Sequence, residues 1–303
     1  MGNILYPPAR PQSVGEVLDT AFRIYSSTLV KCLPYSFASV ILGQLLSVYD
    51  LLHRHATTVA AIQVAQMQRL RDPLWLTLFL ILIVVSTTFA NAVFLRQYAL
   101  ATGRPASMRA ELGRGLQRTP GVVLMVLLAA LAFLGTMIPV MIVVGAIGGV
   151  LGIYRAAPVP SSQVWLMLAI FLIMLLAGSW VVIRWICSVP IYLLTPRGAI
   201  DSMSHSWQLT VGNFWRLSII YSVGVALILV FYVLASVTGG VVALLVGRGD
   251  LVVFLAVSAA AIALLAAVFT PFYYALVLAV YGDLAARREG ADLAQRIAAP
   301  VTP

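Results

Sequence analysis

Residues 74–98 read LWLTLFLILIVVSTTFANAVFLRQY, with no charged side chain before Arg96. Backbone N–H and C=O groups cannot stay unpaired in hydrocarbon, so a run this apolar must pair them internally as a helix. About 20 helical residues cross a bilayer, and this run is long enough. Five further runs read the same way: Leu29 to Leu52, Val122 to Tyr154, Val164 to Leu194, Phe214 to Val246 and Leu251 to Tyr281. Pro139 is expected to break the third span, and Pro190 and Pro271 interrupt the fourth and sixth. The predicted fold is an all-α polytopic membrane protein of about six transmembrane helices.

Composition agrees. Of 303 residues, 62% are hydrophobic and 10% charged, against roughly a quarter charged in soluble domains. The first stretch holds Pro7, Pro8, Pro11, Glu16 and Asp19 and lacks the apolar core of a signal peptide, so the first span is expected to be retained as an anchor. The net charge of +9 does not point to nucleic acid, because no basic stripe interleaved with aromatics lies on a water-facing segment. The Lys and Arg residues cluster in alternate connectors instead. Fourteen fall before span one, between two and three, between four and five, and after six, while five fall in the other three loops. The positive-inside bias places both termini in the cytoplasm. Cys32 and Cys187 would then lie near that face as small buried hydrophobes, with no disulfide expected.

Each connector before an odd-numbered span carries a short amphipathic stretch. In the first, Val14, Val17, Leu18, Ala21, Phe22 and Tyr25 recur at helical spacing, and Ser13 with Glu16 forms a capping box. In the second, Met108, Leu112 and Leu116 follow Ser107. In the third, Ile200, Met203 and Trp207 make the stripe. Leu18, Leu112 and Met203 correspond at offsets of 94 and 91, as do Phe22, Leu116 and Trp207, and Ser27, Gly121 and Gly212 are expected to end the three stretches. The pattern reads as three copies of an interfacial helix plus a transmembrane hairpin, at about 11–104, 105–196 and 197–290, with 291–303 a cytoplasmic tail. The whole chain, 1–303, forms a single membrane domain.

Three motifs carry a family resemblance. They are Ser13-Val14-Gly15-Glu16-Val17-Leu18-Asp19 with Ala21-Phe22-Arg23-Ile24-Tyr25; Ser206 to Arg216, SWQLTVGNFWR; and Tyr281-Gly282-Asp283-Leu284 with Arg287-Arg288-Glu289-Gly290 and Asp292-Leu293. In order and spacing they resemble the bacterial and archaeal family described as the membrane domain of glycerophosphoryl diester phosphodiesterases. The resemblance covers the membrane part only and implies no enzyme: a catalytic barrel needs roughly 200 or more further residues, and the carboxylate and histidine clusters of a metal-assisted phosphodiesterase are absent. The motif residues have structural explanations. Gly212 can leave helical geometry, Asn213 can cap the following span, Asp283 and Arg287 form an i,i+4 ion pair, and Gly290 can stop that helix. Trp207 and Trp215 suit a membrane–water boundary.

No nucleophile elbow, zinc-protease motif or phosphate loop is present, so the chain offers no catalytic, cofactor-binding or metal-ligating set. His53 and His55 flank Arg54, but no cysteine or acidic cluster accompanies them, beyond Asp50 and Asp72. Gly145-x-x-x-Gly149 and Gly148-x-x-x-Gly152 permit close helix contact within one subunit or between copies, which leaves a homo-oligomer open. Asn91, Arg184 and Tyr274 fall at near-equivalent positions in the even-numbered spans, 93 and 90 residues apart. They form a candidate polar cluster for an anionic lipid headgroup; snorkelling to the boundary is the simpler reading of Arg184.

The function these features suggest is non-enzymatic: a module of the bacterial inner membrane that binds lipid or partner proteins through its cytoplasmic-side helices. Transport of a small or lipid-like substrate is the alternative, although no span offers a midplane carboxylate. Membrane lipids are the expected partners, with other envelope proteins next. Reporter fusions at residues 1 and 303 should both report the cytosol, and fusions in the loops after spans one, three and five the opposite side. Termini on opposite sides would break the predicted topology.

Overall fold

The computed structural model describes residues 5–54, 71–150, 161–247 and 251–288. The regular elements among them are all helices: α1 (Val14–Arg54), α2 (Pro73–Ala101), α3 (Met108–Val150), α4 (Ser161–Trp185), α5 (Ser188–Leu194), α6 (Ala199–Thr210), α7 (Phe214–Gly247) and α8 (Leu251–Arg288). Six segments are long and apolar enough to cross a membrane, the fourth of them made from the end of α4 together with α5. Their outer faces carry Leu127, Leu131, Ile142, Leu229, Leu234 and Leu244, all exposed on the protein itself. In water so much exposed leucine and isoleucine would drive aggregation; in a bilayer it is the surface lipid covers.

The spans follow one another around a ring. α1 packs against α2, α2 against α3, α3 against α4, α4 against α7 and α7 against α8, and α8 returns to α1. The buried core lies toward the Arg-rich end, where Ile24, Phe94, Ile191, Leu217, Phe272, Leu278 and Leu284 meet.

Several local expectations are corrected. The first two amphipathic stretches are not separate helices. α1 runs through Ser27 and α3 through Gly121, and the Ser27 hydroxyl donates back to the Ile24 carbonyl at 3.0 Å within the continuing helix. Only the third stretch stands alone, as α6, because Gly212 adopts φ +81°, a left-handed conformation that stops a helix. Pro139 does not break the third span, since α3 passes through both Pro120 and Pro139. The fourth span is the one that splits. Pro190 has no N–H to offer the Ile186 carbonyl and its ring crowds that position, so helix stops at Trp185 and restarts at Ser188.

Carbonyls freed at these breaks find side-chain donors, as a water-free interior demands. Pro271 strands the Ala267 carbonyl inside α8, and the Ser36 hydroxyl of α1 donates to it. Tyr25 donates to the neighbouring Val268 carbonyl at 3.3 Å, and the fully buried Gln97 amide donates to the Pro271 carbonyl at 2.7 Å. At the end of α4 the Arg184 carbonyl accepts from Ser206 at 2.9 Å and from Thr210 at 3.4 Å, which fastens α6.

The amphipathic stretches turn only part of their expected stripes inward: Val17, Ala21 and Met203 are buried, whereas in the second stretch the inward positions fall one residue before the stripe. Inside are Val17 and Ala21 of α1, Glu111 and Gly115 of α3, and Ser202 and Ser206 of α6. The large apolar residues next to them turn outward: Phe22 is 44% and Leu116 55% exposed. Small side chains allow close approach between helices, while bulky ones have lipid as an equally good neighbour. Gly115 lies so close to α2 that a Cβ there would meet the Thr88 carbonyl oxygen at 2.9 Å. Gly115→Ala should therefore push α3 off α2 and lower stability by about 1–3 kcal/mol, read as a lower melting temperature in detergent. An unchanged melting temperature would contradict this packing.

Candidate functional site

At the Arg-rich end three distant segments are tied through one carboxylate. Asp283, in the last turns of α8, is 1% exposed. It accepts from the Gln12 backbone N–H at 2.7 Å, from Arg216 at the start of α7, and from Arg287 at 3.2 Å, the expected i,i+4 pair. Both guanidiniums also donate to the Gln12 carbonyl. Arg288 donates to the Val211 carbonyl beside the Gly212 turn. The segment before α1 is held further in by Tyr6, whose ring meets Tyr98 edge-on at 5.6 Å and covers Gly282. The Leu5 and Tyr6 N–H groups donate to the Ala101 carbonyl at the end of α2. The residues of the three sequence motifs thus meet in space. Ser13 and Glu16 close the capping box, with Ser13 N–H donating to Glu16 at 2.6 Å and Glu16 N–H to Ser13 at 3.3 Å, and Asp19 pairs with Arg23 at 2.8 Å.

A second buried acid, Glu111, is 6% exposed. It accepts the Tyr35 hydroxyl of α1 at 2.8 Å and pairs with Arg96 of α2 at 3.3 Å, so it ties three helices together. Sequence reading passed over Glu111, Tyr35, Arg96 and Arg216 as structural partners. Glu111 stands 94 residues after Val17 and 91 before Ser202, a register that picks out the inward face.

Between these charged layers and the membrane interior lies a partly open cavity of about 320 Å³ within the ring of spans. Ser39, Ser86, Thr87, Asn91, Tyr273 and Tyr274 supply its polar lining, and Val122, Val126, Val189 and Pro190 part of an apolar wall. Asn91 is anchored by its amide nitrogen, which donates to the Gly115 carbonyl and to Thr119 at 3.3 Å each; Thr119 in turn bonds Thr88 at 2.9 Å.

Of the candidate cluster, Asn91 and Tyr274 line this cavity and Arg184 does not. The Arg184 guanidinium lies over the Trp180 and Trp207 rings, at 5.5 and 5.2 Å, with Nε and Nη1 buried and unpartnered. Of the predicted stripes, Met203 is buried, Leu18, Leu112 and Trp207 are half-buried, and Phe22 and Leu116 face outward. Asn213 leads into α7, its carbonyl accepting from Leu217 N–H at 2.9 Å. Cys32 and Cys187 are buried free thiols. Glu289, Gly290, Asp292, Leu293, His55 and the side chain of His53 lie outside the described residues. Among the described residues no three His, Cys, Asp or Glu gather as a metal site.

A ring of six apolar helices, with the buried acids Glu111 and Asp283 gathered at one end, is the architecture of a multi-pass integral membrane protein. Within that class, residues 159–288 match the family model for the membrane domain of glycerophosphoryl diester phosphodiesterase. The matched segment contains the second motif and the start of the third, including Arg216, Asp283 and Arg287. No curated protein and no solved structure matches the chain.

Removing Asp283 would leave two guanidiniums facing each other across an uncompensated site. Asp283→Ala should cost about 3–5 kcal/mol, the range for breaking a buried pair by deleting one partner. The check is thermal unfolding in mild detergent. Stability equal to wild type would show that the three motifs are not held through this carboxylate.

Proposed function

We propose that this protein is a non-enzymatic module of the bacterial cytoplasmic membrane that engages anionic lipid through three amphipathic stretches at its cytoplasmic end. The observation that carries the reading is the outward display at that end. Phe22, Met108, Leu116, Ile200 and Trp215 (69% exposed) all present exposed apolar surface there. They stand beside exposed Arg23, Lys31, Arg109, Arg114 and Arg197. Apolar side chains next to cations at a membrane boundary suit the acyl and phosphate layers of one leaflet, each Lys or Arg contributing about 1 kcal/mol near an anionic surface.

The orientation has two supports: the arginine asymmetry of the connectors, and the contact of Gln12 with Asp283, which joins the two described ends of the chain at one end of the bundle. A threefold unit is supported by where each stretch docks. Phe22 and Tyr25 meet Phe272 of α8 at 5.0 and 5.6 Å, Gly115 meets α2 beside Asn91, and Ser206 meets the Arg184 carbonyl of α4. Each amphipathic stretch so packs on the later half of an even-numbered span, with the first closing onto the last.

The test compares lipid retention by native mass spectrometry after incubation with vesicles of phosphatidylglycerol and phosphatidylcholine in equal amounts. Wild type should keep phosphatidylglycerol preferentially, and Arg109→Gln/Arg114→Gln should lose much of that preference, on the order of 1 kcal/mol per residue. Equal retention of the two lipids by wild type overturns the reading.

A further inference from the structure

The cavity inside the ring has a chemistry unlike the surface around it. Nothing charged lines it. It also lies deeper than the charged layer: Asn91 precedes Arg96 by five residues, about 7.5 Å along a helix, and Tyr274 precedes Asp283 by nine, about 13.5 Å. A phosphate lodged at that depth would be a charge in a low-dielectric site with no counter-ion, which is strongly unfavourable. An anionic headgroup therefore does not belong here.

Neutral hydrogen-bonding capacity is plentiful, and some of it is uncommitted. The hydroxyls of Thr87, Tyr273 and Tyr274 make no hydrogen bond among the described residues, and Asn91, whose nitrogen is anchored on α3, keeps its side-chain oxygen free. Three donors and one carbonyl acceptor thus lie along α2 and α8, opposite the valine-rich wall of α3 and the Val189–Pro190 region. A volume of about 320 Å³ is at the lower end of the roughly 300–1,000 Å³ seen for ligand pockets. Because the cavity is only partly enclosed, a chain can leave it into the surrounding lipid.

We infer that this cavity binds an uncharged lipid bearing hydroxyl and ester groups, of the acylglycerol class. Thr87, Tyr273 and Tyr274 donate to its ester oxygens, and Asn91 accepts from its free hydroxyl. The inference rests on the protein being a lipid-engaging module, but not on its arginines: it names a second lipid, taken up within the bundle.

The experiment uses the full chain in phosphatidylcholine nanodiscs, with photoreactive diacylglycerol in one arm and photoreactive phosphatidylglycerol in the other, and maps adducts by mass spectrometry. Diacylglycerol adducts should fall on residues 86–94 and 273–277. Thr87→Val/Tyr274→Phe, which removes two hydroxyls with little change of volume, should lower them about tenfold. Ala90→Leu, which fills the cavity, should do the same, while adducts on the outer faces of α3 and α7 stay constant. Three results would overturn the inference: phosphatidylglycerol labelling the cavity as strongly as diacylglycerol, diacylglycerol adducts confined to outer faces, or cavity adducts insensitive to both variants. Each of these leaves the phosphatidylglycerol retention result readable on its own.

Discussion

With no water to turn to, a carbonyl that loses its helical partner inside this bundle is costly unless a side chain answers it. That requirement organises the middle of the structure. Pro271 leaves α8 continuous but takes one hydrogen bond out of it, and donors from α1 and α2 converge there: Ser36, Tyr25 and Gln97. The end of α4 is answered by Ser206 and Thr210 of α6. These two places are points of attachment for neighbouring helices, and the attachments help give the ring a defined register where apolar contact alone discriminates little between one lipid-like surface and another.

Charge has the complementary role at one end. Asp283 and Glu111 are the two buried acids among the described residues, and each gathers groups from more than one helix. Neither resembles a reaction centre. Every oxygen of these two carboxylates faces a guanidinium, a hydroxyl or a backbone N–H. The cavity lined by Asn91 and Tyr274 lies apart from both acids, among neutral side chains.

The spans were legible because hydrocarbon leaves a long apolar run only one backbone solution. Residues 74–98 read as a helix for that reason, and the structure has α2 over Pro73–Ala101. The capping box at Ser13 and Glu16 and the Asp283–Arg287 pair were legible too, since both are local geometries. What misled was the habit, formed on soluble proteins, of turning the bulky apolar stripe inward. Val17 and Ala21 of the first stripe do face the core, but Phe22 and Leu116 turn outward and Glu111 and Gly115 take the inward positions, because lipid is as good a neighbour for a large apolar side chain as the bundle itself. The partners of Asp283 could not be read either: a contact between residues 12 and 283 has no local signature. Proline was ambiguous in a different way. Pro139 leaves α3 continuous while Pro190 ends α4, and the ring alone does not predict which.

The contact of Gln12 with Asp283 has a bearing on how the molecule is made. A ribosome delivers residue 12 some 271 residues before residue 283, so the anchor point for the first segment does not exist until α8 has been laid into the bilayer. Throughout that interval α1 also lacks Phe272, against which Phe22 and Tyr25 pack. The ring can be sealed only once α8 is in place, and a nascent chain stalled before it would leave to the membrane surface the turns of α1 that otherwise pack on Phe272.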